Sequence, residues 1–339
     1  MNQIEEDIQQ LLSEENQEFF SNKSVLITGA SGLVGTYLTT FFQNLDSYKR
    51  KELQLYVSSL TGEFTTPILQ NTMILKGDLT NLEFLKTFPN FDLIIHASGY
   101  GQPGKFLENV VKTMKLNSIV TQELCEKLND SGRFLFISTS EIYSGLDRPP
   151  FYESQVGNTN TDHERAPYIE SKRFGETAVS SLQKSNRNLL GFSARLALAY
   201  GPGVKESDSR VLYNFIQSGR YTGEINLKDS GTAMRTYCYV LDAVEMMLSI
   251  IKRGEYLIYN VGGVSRLSIS DLANKVAVLT NAKLNIPTKA ESFLSSAPND
   301  VWLDLSRISE ISETTTFVDM EDGLSRTITW LKEIEQGLT

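Results

Sequence analysis

KSVLITGASGLVGTYL, residues 23–38, is the stretch whose reading decides the fold. The apolar run SVLIT leads into glycines at 29, 32 and 35, and a helix-patterned segment follows at once. Each glycine has a physical reason in that setting. Gly29 permits a tight turn, Gly32 lets a bound group approach the backbone, and Gly35 lets the helix pack on its strand. A helix starting there turns free N–H groups and the positive end of its dipole toward a phosphate. Strand, spacing and helix together predict a dinucleotide pyrophosphate site along Gly29, Ser31, Gly32, Leu33 and Val34.

The same alternation runs outward from this stretch. SVLITG (24–29), LQLYVSS (53–59), MILKGD (73–78), FDLIIHAS (91–98), RFLFIST (133–139) and NLLGFSARL (188–196) read as strands buried on both faces, with helix-patterned segments between them. Such a rhythm specifies an α/β, doubly wound (Rossmann) parallel sheet with crossover helices on both faces. A helix is predicted from about Pro167 to Leu182, with the proline at its start. After RLALAYGPG (195–203) the pattern loosens: SRVLYNFIQSG reads as a helix, TAMRTYCYVLDAVEMMLSII as a short strand and a helix, and YLIYNVGG as another strand. The expected organisation is an N-terminal helical extension over 1–21, a dinucleotide-binding domain over 22–199, and a smaller, partly interleaved substrate lobe over 200–339, with 234–262 returning to the first domain. Residues 3–20 read as one helix packed on the body, with Ile4, Ile8, Leu11 and Leu12 at helical spacing.

Composition narrows the classes of function. The 339 residues carry 32 Lys and Arg against 41 Asp and Glu, a net charge of -9 that argues against a nucleic-acid surface. No apolar run reaches the roughly 18 residues of a membrane span, and the acidic start MNQIEEDIQQLLSEE is unlike an export signal, so a cytoplasmic protein with no membrane partner is expected. Two cysteines, Cys125 and Cys238, make no disulfide framework, and with only His96 and His163 no metal site is expected.

A dinucleotide site usually carries an acid at the end of its second strand, to hold the adenosine ribose. Here Ser58 and Ser59 stand in that place, and the basic residues Lys49, Arg50 and Lys51 lie upstream of it. The lack of a positive cluster at the strand end tilts the cofactor to NAD, with NADP left open. Asp78 and Leu79 follow the third strand and Ala97 and Ser98 end the fourth, all candidate cofactor contacts.

YIESK places Tyr168 and Lys172 four apart, on one face of a helix. An ammonium beside a phenol favours the phenolate, which lowers its pKa from about 10 toward a value useful for proton abstraction. FLFISTSEIY (134–143) sets Ser138, Thr139 and Ser140 at the carboxyl end of a buried strand, where open α/β sheets bind ligands, and Glu141 adds a carboxylate. One of these hydroxyls, facing Tyr168, can share a substrate hydroxyl with it. Glu141 then suits acid or base work at a neighbouring carbon.

Over residues 23–331 the chain resembles the extended short-chain dehydrogenase/reductases that act on nucleotide sugars. The likeness rests on TGASGLVG, GDL, STSEIY, YIESK, RLALAYGPG, MRTYCYVLD and YNVGG in the family's order. It implies that Thr139 is the catalytic hydroxyl, Tyr168 the base and Lys172 its partner. Asn117 resembles the family's supporting Asn, Ser140 falls beside the sugar, and Arg210 and Arg235 fall near the substrate nucleotide. It also implies a homodimer built on two helices per subunit, about 105–128 and 167–183, and oxidation at carbon 4 of a nucleotide-diphosphate sugar to a 4-keto intermediate. The run Thr139-Ser140-Glu141 is most similar to UDP-glucuronate decarboxylases and GDP-mannose dehydratases. Two departures stand out: Leu198 replaces an Asn of the decarboxylases, and Val301 replaces an Arg. The alternatives are a 4-dehydrogenase or 4-keto reductase with the same triad, or a non-catalytic NAD(P)-sensing protein.

Overall fold

Two short helices, rather than one, open the chain: α1 (Gln3–Gln9) and α2 (Glu14–Phe20). The apolar spacing carries across the gap, but Ser13 is extended and its hydroxyl accepts the Asn16 amide at 3.1 Å, an N-cap that starts a second helix. β1 (Ser24–Thr28), α3 (Leu33–Lys49), β2 (Gln54–Ser59), β3 (Met73–Lys76), α4 (Leu82–Lys86) and β4 (Phe91–His96) follow. Next come α5 (Pro103–Glu108), α6 (Val110–Asn117), α7 (Ile119–Cys125), β5 (Leu128–Thr139), α8 (Ala166–Ser181) and β6 (Leu190–Leu196). The remainder comprises β7 (Leu198–Tyr200), α9 (Val211–Tyr221), β8 (Glu224–Asn226), β9 (Met234–Tyr239), α10 (Val240–Arg253), β10 (Ile258–Val261), β11 (Ser265–Ser268), α11 (Ile269–Thr280), β12 (Lys283–Asn285), β13 (Asp300–Val301), α12 (Ser306–Ser309) and α13 (Met320–Glu335). The computed structural model describes residues 2–49, 53–184, 188–287, 300–313 and 316–337, so Arg50 and Lys51 lie outside the described residues.

Seven strands form one parallel sheet in the order β10-β6-β5-β4-β1-β2-β3, doubly wound about β1. α1, α3 and α10 pack on one face, and α6, α7 and α8 on the other. The central strands are apolar on both sides because both faces are covered. β3 departs from that expectation: it is the edge strand, and its Met73 and Ile74 are exposed. β10 pairs with β6 in the main sheet, whereas β9 joins β7, β11 and β13 in a second sheet, and β8 with β12 makes a third. No helix among the described residues is long and apolar enough to cross a membrane.

Asp7 pins α1 to this body. It is fully buried, and it accepts the hydroxyls of Tyr37 at 2.7 Å and Tyr239 at 2.6 Å and the Arg326 guanidinium at 2.9 Å. Burial holds both phenols well above their ordinary pKa, so they remain donors. One carboxylate thus joins α1, α3, β9 and α13. Asp7→Ala leaves two buried phenols without their carboxylate and takes one contact from the half-buried Arg326, which Asp322 still holds, and is expected to cost about 3 kcal/mol in denaturant unfolding. A loss below about 1 kcal/mol would show that the staple carries little.

Candidate active site

The site is built along the carboxyl ends of β1, β4 and β5, where strand order reverses. β1 ends at Gly29, whose φ of 67° suits glycine, and a Cβ there would meet the Ala97 carbonyl at 2.6 Å. A Cβ on Gly35 would lie 2.2 Å from the Gly29 carbonyl, so α3 sits directly against the turn. A Cβ on Gly32 would have the Gly29 carbonyl, at 3.3 Å, as its one close neighbour, which leaves the outer side of this residue open as a cradle. With the start of the 17-residue α3 beside it, this turn fits the pyrophosphate of a dinucleotide.

His96 fixes the neighbouring strand end. Its Nε2–H donates to the Leu116 carbonyl at 3.0 Å, so its Nδ1 accepts the Thr28 hydroxyl at 2.7 Å, and Thr28 Oγ1 in turn accepts the Ser98 amide at 3.2 Å. Burial lowers the imidazole to about 4 and keeps it neutral. Ala97 and Ser98 are thereby held beside Gly29. Ser58 is buried, and its carbonyl accepts the Ala30 amide. The Asp78 carboxylate is taken up by Lys112 at 2.8 Å and by the Thr80 amide and hydroxyl, while Leu79 is buried. Burial opposes ionisation of Asp78, but Lys112 and Thr80 outweigh it and hold the carboxyl below its usual range.

Thr139, Glu141, Tyr168 and Lys172 converge at the tip of β5. The Thr139 hydroxyl accepts the Glu141 amide at 3.2 Å and hydrogen-bonds the Tyr168 phenol. Lys172 is buried, donates to the Ile137 carbonyl at 2.7 Å, and lies 4.6 Å from the centre of the Phe136 ring and 6.0 Å from that of Tyr168. The Asn117 Oδ1 is buried without a donor, and a Cβ on Gly99 would lie 3.4 Å from it and 3.7 Å from Lys172 Nζ. Gly99 therefore leaves Asn117 and Lys172 a shared recess, which fits the polar ribose of a nicotinamide nucleotide.

The expected lowering of the phenol by its lysine is not what the resting site shows. Burial pushes Tyr168 up to about 12; Thr139 draws it down, Glu141 raises it further, and Arg165 opposes Glu141. Burial also lowers Lys172 to about 7, against the pull of Glu176, so the amine is too little charged at neutral pH to dominate. Ser138 is turned toward α8 but meets Glu176, eight residues beyond Tyr168, to which its hydroxyl donates at 2.6 Å. Glu176 is itself held bidentately by Arg195, both contacts at 2.9 Å. Ser140 is half-buried next to Thr139.

Sequence reasoning missed two members. Arg165, one turn before Tyr168, binds Glu141 at 2.6 Å; its spacing of three from the tyrosine was the available signal. Phe106 stacks flat on the Tyr168 ring, centroids 4.4 Å apart and planes at 2°, a contact no local pattern announces. Arg210 is wrapped by Asp208 and donates to the Ala199 carbonyl, on the β7 side of the site. Arg235 is half-buried within reach of the fields of Glu141 and Arg165, while its Nη1 donates to the Met234 carbonyl. Among the described residues no cluster of His, Cys, Asp and Glu has the makings of a metal site. A cavity of about 240 Å³ by Phe19, Lys23, Asp92 and Arg133 opens at the opposite, amino end of the strands, away from this chemistry.

The model of the NAD dependent epimerase/dehydratase family matches residues 25–262. Among curated proteins, a UDP-glucuronic acid decarboxylase of Arabidopsis thaliana is 27% identical over 318 residues, covering 91% of this chain and 89% of its own. A UDP-glucuronic acid decarboxylase of Xenopus tropicalis is 26% identical, covering 92% and 73%. Among solved structures, an epimerase of Methanothermobacter thermautotrophicus superposes with a TM-score of 0.80 at 19% identity, over 96% of each chain. The Bacillus cereus UDP-glucuronic acid 4-epimerase, solved with UDP-glucuronic acid and NAD, gives 0.74 at 21%, over 92% of this chain and 99% of its own. These structures share the fold.

The lysine has a consequence for stability. An amine lowered from 10.5 to about 7 by burial penalises the folded state fully below pH 7 and not at all above pH 10.5. Lys172→Met is therefore expected to stabilise the protein at pH 7 by on the order of 2 kcal/mol, after the lost bond to Ile137 is set against the relief. The gain shrinks toward zero as the pH approaches 10.5, as denaturant titrations across this range will read; a gain independent of pH contradicts burial of charge as its cause.

Proposed function

The chain belongs to the NAD-dependent epimerase/dehydratase family, and from that premise we propose that this NAD-dependent enzyme oxidises carbon 4 of a nucleotide-diphosphate sugar and works through the resulting 4-keto sugar. The observation that carries the reading is the meeting of Thr139, Tyr168 and Lys172 beside the glycine turn. Bound NAD supplies the acceptor for the hydride leaving carbon 4. Gly29, Ser31, Gly32, Leu33 and Val34 would hold its pyrophosphate, Ser58, Asp78 and Leu79 its adenosine side, and Ala97, Ser98, Tyr168 and Lys172 its nicotinamide side.

In the resting site the phenol keeps its proton. Thr139 orients the sugar hydroxyl toward Tyr168; the phenol releases its own proton toward the uncharged Lys172 amine, and the phenolate accepts the hydroxyl proton as the carbonyl forms. Lys172, titrating near neutrality, changes charge at little cost as the phenol changes state. Glu141, two residues past Thr139 with its carboxylate held by Arg165, is assigned here to the carbon next to the ketone. That position favours a decarboxylase, dehydratase or epimerase outcome over a simple 4-dehydrogenase or 4-keto reductase, in which it has no task. The named activity of the curated relatives supports UDP-glucuronate as the substrate to test first.

The unit from residue 200 onward that carries the two small sheets, with α10 and β10 returning to the main sheet, is our proposed substrate lobe, where Arg210 and Arg235 face the diphosphate and Ser140 meets the sugar from the 22–199 domain. Two buried free thiols suit a reducing, cytoplasmic setting. A homodimer through α6, α7 and α8 is supported by the exposed apolar side chains Val111, Met114 and Phe174. Light scattering is expected to give twice the 38.0 kDa chain mass, and Phe174→Glu to give a monomer; a wild-type monomer at micromolar concentration contradicts this part.

For the chemistry, NAD-loaded protein mixed with UDP-glucuronate is expected to turn it over, and Tyr168→Phe to reduce the rate by about a thousandfold with the fold intact. A variant within tenfold of wild type would remove Tyr168 from the role given to it.

A further inference from the structure

α1 and α2 lie ahead of the residues that match the family, yet α1 reaches the cofactor turn. Ile4 is fully buried. A Cβ on Gly203 would lie 3.5 Å from Ile4 Cδ1, 3.6 Å from Leu33 Cδ1 and 3.8 Å from Thr36 Cγ2, so three side chains close around one point of the backbone. Leu33 opens α3 and belongs to the glycine turn, whereas Gly203, at a φ of 91°, belongs to the segment between β7 and α9. One turn further along α1, Asp7 accepts the hydroxyl of Tyr37, which stands one turn along α3 from Leu33. α1 therefore lies beside the first two turns of α3, with an apolar contact at the first and a hydrogen bond at the second.

The same two residues hold the other half of the site. The segment at Gly203 runs on to Lys205, whose Nζ donates to the Ser31 hydroxyl of the glycine turn at 3.3 Å, and then to Arg210, the N-cap of α9. Asp7 accepts the hydroxyl of Tyr239, the last residue of β9, and Arg235 is the second residue of that strand. Both segments that carry a substrate arginine are thus tied to α1, and α1 is tied to the helix that opens on the cofactor. α2 is attached elsewhere: Phe20 packs edge-on against Phe41 and Phe42 in the middle of α3, ring centroids 6.0 and 5.0 Å away. Close-packed contacts of this kind pass a displacement on, because interiors hardly compress.

We infer that α1 is a brace between the cofactor and substrate halves of the site, in which Ile4 and Asp7 are positioning residues: they fix the start of α3 against Gly203 and β9, so that NAD and a nucleotide diphosphate bind with positive coupling. This rests on the cofactor and substrate assignments proposed above, and adds the element that joins them. A glycine turn filled by cofactor holds Ser31 and Leu33 still, and through Lys205 and Ile4 it holds the segment that ends at Arg210. A nucleotide at Arg210 acts back in equal measure, since coupling between two binding sites is reciprocal. Neither Ile4 nor Asp7 touches a reacting atom.

Calorimetry of NAD and of UDP, each titrated alone and then into protein saturated with the other, reads the coupling directly. Wild-type protein is expected to bind either ligand about tenfold more tightly when the other is present. Ile4→Val removes Cδ1, the methyl at Gly203, and is expected to bring that factor down to about threefold, while Ile4→Ala brings it to about one. Phe20→Leu is the control: it loosens α2 on the middle of α3, lowers stability in denaturant unfolding, and is expected to leave the tenfold factor in place. No coupling in the wild type, an unchanged factor in both Ile4 variants, or an equal fall in Phe20→Leu overturns the proposal. Should Ile4→Ala fail to fold, Ile4→Val against Phe20→Leu decides it. If wild-type protein binds NAD but not UDP, the nucleotide-sugar reading itself has failed, and the proposal with it.

Discussion

The buried amine of Lys172 is the constraint on which the site depends. An ammonium group taken out of water is costly, and the Ile137 carbonyl, the face of Phe136 and the field of Glu176 offset only part of that cost, so the amine falls to about 7. Glu176 is one turn further along α8 and is clamped bidentately by Arg195, itself almost wholly buried on β6. Arg195 also donates to the Tyr143 hydroxyl and to the carbonyls of Glu153 and Gln155. A rigid polar network beneath the sheet's edge thus fixes α8, and α8 fixes the distance from Lys172 and Tyr168 to Thr139. Such networks hold geometry well when every member is satisfied, because breaking any one contact strands a buried charge.

Much of this was legible because it is local. The strand, glycine turn and helix at 24–49 are set by neighbours in the chain, and the Tyr168 and Lys172 pair by the helical repeat alone. Edges and breaks were harder. β3 has the composition of an inner strand but lies at the edge of the sheet, and the N-terminal helix divides where a single serine caps a second start. Long-range contacts left no trace in the sequence: Phe106 on Tyr168, His96 between Thr28 and Leu116, and Asp7 among three distant donors are each made by tertiary packing. Ser138 illustrates the opposite fault, since three hydroxyls in a row look equivalent until the first is found committed to Glu176 further along α8.

The electrostatics of the resting site also correct a simple expectation. Placing a lysine four residues from a tyrosine does not by itself make an acidic phenol, because the burial that brings the two together discharges the amine and raises the phenol at once. Thr139 is the neighbour that draws the phenol down most, and Glu141 and Arg165 oppose each other around it. A substrate hydroxyl shared by Thr139 and Tyr168 therefore meets a site already ordered, with its proton acceptor held in place.

The most direct measurement is the fate of the hydrogen on carbon 4. NAD-loaded protein should be mixed with UDP-glucuronate deuterated at that carbon, and the cofactor recovered during turnover for mass spectrometry. The account predicts that deuterium appears on the nicotinamide and that formation of the keto sugar is slowed by the heavier isotope. Turnover with the label left on the sugar throughout, at an unaltered rate, would contradict it.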